Sequence, residues 1–474
     1  MTCWRVEERT TQASMTVKPT PSSGFDINVP IVVIGAGAAG LVGALSAKTS
    51  GGDVLVIEAD AVPSGSTALS AGLIPAAGTK FQDQAGIIDS SDFFAADIQT
   101  KAKGQNPQNL VELLSRNSGQ TVDWLGETFD LPFSVVTDFD YPGHSRRRMH
   151  GLPSRAGREL VDRLRATCED QGIDIVCSRR ATTLFASGNT ITGVEVCGPD
   201  GFERIGCEAL ILACNGFGGN REMVARLMPE IMNAVWFGHD GNTGDALTWG
   251  KDLGAEMMHL GAYQGHGNVA HPHGILITWA VITEGGIQVN NDGQRFWNEA
   301  LGYSEAARFV LEQEDGVVWT VFDQRIAEIA RQFQDFKDAE AVGAIKTAGS
   351  LGELASKCDL PPEALTETVE ALPWGGEDSF GRAFGNTPLS PPYKSVRVTG
   401  ALFHTQGGLN VDDTARVKLN TGGSLANLFA AGGAAVGVSG KTDSGYLSGN
   451  GLLSAVVLGR IAGAEAAQMT RKGQ

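Results

Sequence analysis

The sequence predicts an α/β chain in which a Rossmann-like nucleotide-binding domain, discontinuous in sequence, is interrupted by an inserted α+β cap domain. Three observations predict it. A βαβ unit with a glycine-rich turn stands near the start, at residues 30–58. A strand running into a glycine-rich turn recurs at 209–219 and again at 428–433. Between these last two, from about 266 to 390, strand-like pieces (285–289, 317–322) mix with amphipathic helical runs (304–313, 325–336).

Each element has a local reason. The run 31–34 is apolar and β-branched, as a buried strand requires. Gly35, Gly37 and Gly40 follow with GxGxxG spacing, and Ala38 and Ala39 open the helical run that continues through 41–48. Gly35 permits the tight turn, Gly37 lets backbone approach a pyrophosphate, and Gly40 lets helix pack on strand. The helix N-terminus presents N–H groups and partial positive charge to phosphates. A second apolar run, 54–57, ends in Glu58, an acceptor for ribose hydroxyls. The stretch 64–72 is rich in small and hydroxyl residues, with Ser64, Ser66, Thr67, Ser70 and Gly72 suited to line a flavin and its phosphates. The strand at 209–212 leads into Ala213 and Gly216, and the strand at 428–430 into Gly432. The glycine-rich turn 445–451 brings Asn450 and Gly451, and Leu452 begins a long helical run to 469. Its N-terminal N–H groups could face the electron-rich edge of a reduced isoalloxazine. Each turn alone is an ordinary βα connection; in this order they point to FAD.

At 474 residues the chain exceeds one simple core. We divide it into a disordered, Pro/Ser/Thr-rich segment 1–26, an FAD-binding domain in two parts, 27–266 and 391–474, and a cap at 267–390. The net charge of −17 argues against nucleic acid or an anionic membrane as partner. No run of transmembrane length and no secretory leader is expected. Seven cysteines, odd in number and without a CxxC pair, point to a reducing, cytoplasmic setting and to no metal or iron–sulfur site. His271-Pro-His273 lacks the carboxylate or thiolate company a metal needs.

These motifs resemble those of the fumarate reductase and 3-ketosteroid dehydrogenase flavoproteins over nearly the whole chain, about 29–467. The resemblance is carried by GAGAAG with Glu58, Gly65-Ser-Thr-Ala, Ala213-Cys-Asn-Gly and Thr243-Gly-Asp245. It is carried further by Val289-Asn-Asn-Asp-Gly-Gln-Arg-Phe-Trp-Asn-Glu299, His404-Thr-Gln-Gly-Gly408 and the final glycine turn. It implies a glutathione reductase type FAD domain, with Asp245 among the cofactor-binding residues. It also implies a structural ion pair for Arg295. Fumarate reductases carry an acid arginine seven residues before that valine, where this chain has Ile282. They carry a carboxylate-holding arginine where it has Tyr446. His266 and His404, which resemble dicarboxylate-binding histidines, remain, for a carbonyl or for packing. No histidine falls at 64–67, where membrane-bound relatives attach flavin covalently, so FAD should be noncovalent.

Tyr446-Leu-Ser448 instead resembles the Tyr-x-Ser of 3-ketosteroid Δ4-(5α)-dehydrogenases, and Tyr303 their cap-domain tyrosine. Tyr393 resembles a tyrosine of the Δ1 enzymes. The chain has only five tyrosines, and three stand at these positions. Desaturating a ketone removes an acidic α-hydrogen as a proton and a β-hydrogen as hydride, to flavin N5. A phenol can take the proton if donors lower its pKa, and donors at the carbonyl stabilise the enolate. Tyr446, Ser448, Tyr303 and Tyr393 are therefore the catalytic candidates. Arg146 and Arg148 could hold a substrate carboxylate or form a solvated basic turn. The expected activity is an FAD-dependent desaturation of a hydrophobic ketone, best a 3-ketosteroid, feeding a separate electron acceptor. The alternatives are a small cyclic ketone or keto acid, and the reverse, ene-reducing direction.

Overall fold

The computed structural model describes residues 15–138 and 140–472. These form two compact units. Unit 1 runs to Met223, resumes at Gly238–Tyr263 and continues from His404; unit 2 comprises Val224–Phe237 and Gln264–Phe403.

Unit 1 is built on a nine-stranded sheet. Its parallel centre places Ile27–Ile34 between Val54–Ile57 and Gly201–Leu212. Asp174–Val176 continues it beyond Val54–Ile57, and Ser424–Ala430 pairs with the end of Gly201–Leu212. Residues 31–34 and 54–57 are buried throughout, which is why the sequence reads as continuous apolar runs. The strand order reverses at Ile27–Ile34, so the ends of three strands open a crevice there, where ligands bind in such sheets. Gly35 has φ +105°, and a side chain on it would strike the carbonyl of Ala213. A side chain on Gly40 would strike the carbonyl of Gly35, so the helix Ala38–Thr49 can lie this close only with glycine there.

The C-terminal helix Asn450–Lys472 packs on Ala38–Thr49. Among the described residues, its stretch Asn450–Arg471 is long and apolar enough to cross a membrane, contrary to the sequence expectation. Two-thirds of its apolar window (67%) is buried against unit 1, as befits a core helix.

Unit 2 has a seven-stranded sheet whose long strand, Tyr393–Thr405, lies between Val317–Asp323 and Tyr263–Ala270. Strand Val317–Asp323 is buried along its whole length. Because Tyr393–Thr405 completes this sheet, unit 2 extends to Phe403 rather than ending at 390. It also takes in 224–237, whose strand Val235–Trp236 pairs with Ala401 and Leu402.

The disorder expected for 1–26 is corrected where the chain is described. Thr16–Pro19 is a strand paired in parallel with Arg180–Ser187, because its backbone completes the sheet edge whatever its polar composition. Residues 1–14 lie outside the described residues. Among the described residues five cysteines are free thiols, and Cys168, Cys207 and Cys214 are pushed up to about 12 by burial. Cys197 is disulfide-bonded, which the expectation of reduced thiols did not include.

Candidate active site

In unit 1 the crevice is lined from both ends of the chain. Glu58 is 8% exposed. Its Oε2 accepts the Ala36 N–H at 2.7 Å and its Oε1 that of Asp60 at 2.9 Å. The carboxylate fastens the glycine turn to the neighbouring strand, and each oxygen keeps a lone pair for a ribose hydroxyl. Burial raises its pKa, against the two N–H groups that pull it down. Thr67 Oγ1 accepts the Ala38 N–H at 3.1 Å, tying the hydroxyl-rich stretch to the start of the nucleotide helix. Gly432 lies against the same turn: a side chain on it would reach 3.1 Å from the Ala39 methyl.

Ser66 is a junction. Its Oγ accepts the side-chain amides of Asn215 at 2.8 Å and Asn242 at 3.2 Å, so its own O–H is aimed elsewhere. Ser64 precedes the short helix Gly65–Ala68 without capping it. Ser70 and Gly72 are used internally: Ser70 Oγ donates to Thr67 and accepts from Gly72. Asp245 pairs with Arg180 at 2.9 Å and accepts from Thr243 at 2.8 Å, fixing the turn that opens the helix Asp245–Leu253.

Asn450 opens the C-terminal helix. Its amide donates to the Val438 carbonyl at 3.1 Å and to Ser439 Oγ at 3.2 Å. Ser439 Oγ donates to Gln406 Oε1 at 2.7 Å, and Gln406 Nε2 donates to His404 Nδ1 at 2.8 Å. Nδ1 is nearer this amide than the Thr405 carbonyl, at 3.2 Å, so the ring carries its proton on Nε2 as a donor. Burial pushes His404 down to about 4, so it is neutral at pH 7. Tyr446 meets His404 edge to face, with ring centroids 5.7 Å apart at 82°. Tyr446 and Ser448 are both buried. Gly451 seats against the same imidazole, and Leu452 is half-buried beside it in the helix.

The residues fit FAD. Asn242 Oδ1 and Asn450 Oδ1 are buried acceptors without a partner among the described residues, at the two flanks of this crevice. Buried acceptors need donors, and a ribityl chain and flavin ring supply them.

In unit 2 the rings of Phe237, Phe403, His266 and Tyr303 form one stack. Successive centroids are 5.0, 5.5 and 5.2 Å apart, tilted by 17°, 20° and 21°. Trp279 stands edge-on to both His266 and Tyr303. Burial pushes His266 down to about 3, and its Nδ1 accepts the Asn268 N–H at 3.2 Å, leaving Nε2–H as the donor. Ile282 is buried with Trp279, Trp297 and Ala306, and Tyr303 packs on the same cluster. The structure thus brings His266 and Tyr303 together within unit 2, and His404, Tyr446, Asn450 and Gly451 together within unit 1.

It separates others. Tyr393 begins the strand Tyr393–Thr405, ten residues and about 33 Å from Phe403. It packs on the main hydrophobic core of unit 2, a different cluster from the one that Tyr303 packs on. Arg148 is neither an anion hold nor a solvated turn. Its side chain is fully buried, bidentate to Asp89 at 2.9 and 3.0 Å, and paired with Asp97. Arg146 is exposed over Phe93. Arg295 is in the expected ion pair, at 2.5 Å from Glu299, with Arg382 on the same carboxylate at 3.0 Å. Sequence reading missed Asn215, Asn242, Gln406 and Ser439 as network members, and Phe237 and Phe403 as stack members. An Asn or Gln carries no spacing signal of its own.

Residues 30–452 match the FAD binding domain family. The chain is 31% identical over 460 residues to a probable fumarate reductase, Ifc3, of Shewanella frigidimarina, covering 94% of this chain and 76% of that one. It is 24% identical over 528 residues to a 4-oxocyclohexanecarboxylate 2-dehydrogenase of Sinomonas cyclohexanicum, covering 91% and 90%. The fold is that of a 3-ketosteroid Δ4-(5α)-dehydrogenase from Rhodococcus jostii RHA1 (TM-score 0.76, 23% identity, covering 96% and 99%).

Proposed function

We propose that this chain, which belongs to the FAD binding domain family, is an FAD-dependent dehydrogenase that desaturates a cyclic ketone beside its carbonyl, a 3-ketosteroid being the preferred substrate. FAD is its cofactor, held noncovalently: residues 64–67 offer neither histidine nor cysteine. Glu58, Thr67, Ser66 and Asn450 hold it. When bound, it accepts the β-hydrogen as hydride.

The observation that carries the ketone reading is the uncharged pair at the C-terminal turn. Where the fumarate reductases that the chain resembles hold a substrate carboxylate with arginine, this chain has Tyr446, ring against a neutral His404. A neutral donor pair suits a ketone oxygen and its developing enolate. A dicarboxylate would find no counter-charge on these two residues. Ile282, where the acid arginine would stand, is 1% exposed in an aromatic cluster. One phenol takes the α-proton and the other donors hold the carbonyl oxygen. Tyr446, with Ser448 two residues on, is assigned to this chemistry; Tyr303, its ring fixed by His266 and Trp279, is the candidate phenol of unit 2. A separate acceptor reoxidises the flavin.

A small keto acid is the second reading, supported by the cyclohexanecarboxylate dehydrogenase among the relatives. It needs a cation for the carboxylate, and Arg148, the buried candidate, is already neutralised by Asp89 and Asp97.

The test is anaerobic bleaching of the flavin band by saturated ketones. 5α-Androstane-3,17-dione should bleach it, and Tyr446→Phe should slow bleaching by about a hundredfold or more with FAD retained. Bleaching by 4-oxocyclohexanecarboxylate alone would establish the second reading. Reoxidation of dithionite-reduced protein by fumarate, with no ketone active, would overturn both.

A further inference from the structure

We propose that His144, held by Arg148, is a positioning residue that fixes the Tyr446–Ser448 turn in its reacting geometry. This rests on the reading of Tyr446 as the reacting phenol.

The chain of contacts lies wholly within unit 1. Arg148 has no freedom: two carboxylates grip it, and its guanidinium lies 4.7 Å over the Phe94 ring. Asp89 is itself held by Gln82 Nε2 at 3.0 Å, and Asp97 by both the N–H and the hydroxyl of Ser145 at 2.8 Å. From this rigid base Arg148 Nη1 reaches His144 Nδ1 at 3.4 Å. His144 Nε2 lies 3.0 Å from the carbonyl oxygen of Ser448. A guanidinium only donates, so Nδ1 must accept, and the ring's one proton must sit on Nε2, pointing at that carbonyl. Burial and the Arg148 charge push His144 down to about 4, so this neutral tautomer holds throughout the working pH range.

The target is the bend that joins a short helical turn to the C-terminal helix. Tyr446 follows a single turn of 3-10 helix, Asp443–Gly445. Gly449, with φ +86°, ends the turn just before the C-terminal helix. The Ser448 carbonyl lies between the phenol and that helix, so a bond there sets the direction in which Tyr446 leaves the turn. The same loop touches the turn a second time: a side chain on Gly143 would reach 2.7 Å from Leu447 Cδ1. The buried arginine therefore serves the reaction without touching substrate, which explains a fully neutralised cation beside a site that needs none.

The experiment uses the full chain loaded with FAD. His144→Phe keeps a ring against Phe94 and removes the donor; His144→Gln returns an amide N–H near the Nε2 position. Amide hydrogen exchange without substrate should rise over 446–449 in the Phe variant, stay unchanged elsewhere, and fall back in the Gln variant. Flavin reduction by 5α-androstane-3,17-dione should slow by about tenfold or more in the Phe variant, with FAD content unchanged. Its pH profile from about 6 to 9 should shift, and the Gln variant should recover most of the rate. Wild-type exchange over 446–449 in the Phe variant would overturn the proposal. So would a loss spread over the whole chain, or a Gln variant no better than Phe. Tyr446→Phe, run alongside, separates the two readings. If it bleaches normally, the phenol's role fails and the positioning role with it. If it is slow while His144→Phe is normal, only the positioning role fails.

Discussion

Ile282 and Tyr446 are single side chains on which the choice of chemistry turns, and their surroundings agree with their identities. Ile282 is enclosed by Trp279 and Trp297, and its backbone carbonyl already accepts the buried Arg382 guanidinium at 2.9 Å. Returning an arginine there would place a second cation beside the first in an apolar cluster. Ile282→Arg should therefore lose on the order of 4 kcal/mol of stability in urea unfolding and gain no fumarate turnover. A folded variant that reduces fumarate would show the cluster to be a tolerant site. At this scale the sequence was informative wherever chemistry sets the residue type. Tyr446 stood out because a phenol had replaced a guanidinium. Arg148 misled because a run of three arginines reads as a basic surface. Only the fold reveals that Asp89 and Asp97, far away in sequence, have closed around the third.

Helices and strands were legible where their cause is local. The glycine spacing at 35, 37 and 40 and the apolar runs beside it are consequences of backbone approach within one βαβ unit, and the structure places them together. The run 325–336 reads as one helix by its apolar period, yet it is two, Gln324–Ala330 and Gln334–Ala341, with Phe333 extended between them. The second helix folds back far enough for Glu340 to pair with Arg331 at 2.7 Å, a partner that periodicity cannot see. The ring stack was equally hidden. Phe237 and Phe403 meet because Trp236 is in register with Leu402, a pairing between strands distant in sequence. Element packing also makes a sharp prediction in unit 1. A side chain on Gly463 would strike the Gly43 carbonyl where the C-terminal helix crosses Ala38–Thr49. Glycine costs about 1 kcal/mol within a helix, and close helix contact here outweighs it. Gly463→Val should lower stability by about 1–3 kcal/mol by denaturant unfolding and weaken FAD retention. An unchanged midpoint would mean that the helices can separate freely.

Across the whole molecule, buried histidines make acid the natural denaturant. His144, His150 and His404 are pushed down to about 4, and His266 to about 3, all chiefly by burial. In the unfolded chain they titrate near 6.5. Below that pH the unfolded state binds protons that the native state refuses, so stability is retained above about 6.5 and lost as pH falls toward 4. At pH 5 each buried ring costs on the order of 2 kcal/mol. The melting temperature should drop clearly between pH 7 and 5, before carboxylates titrate. A flat profile would mean that these rings open to water without resistance.

The split of unit 1 into distant segments has a bearing on how the chain is made. Synthesis runs from the N-terminus, and domains fold as units when their parts have emerged. Residues 264–403 form a nearly continuous body, translated before the segment of unit 1 that resumes at His404. The nucleotide turn at Gly35 is translated some four hundred residues before Gly432, Asn450 and the helix laid along Ala38–Thr49. The inserted unit is thus translated before its host is complete, and the nucleotide helix waits for the helix that covers it.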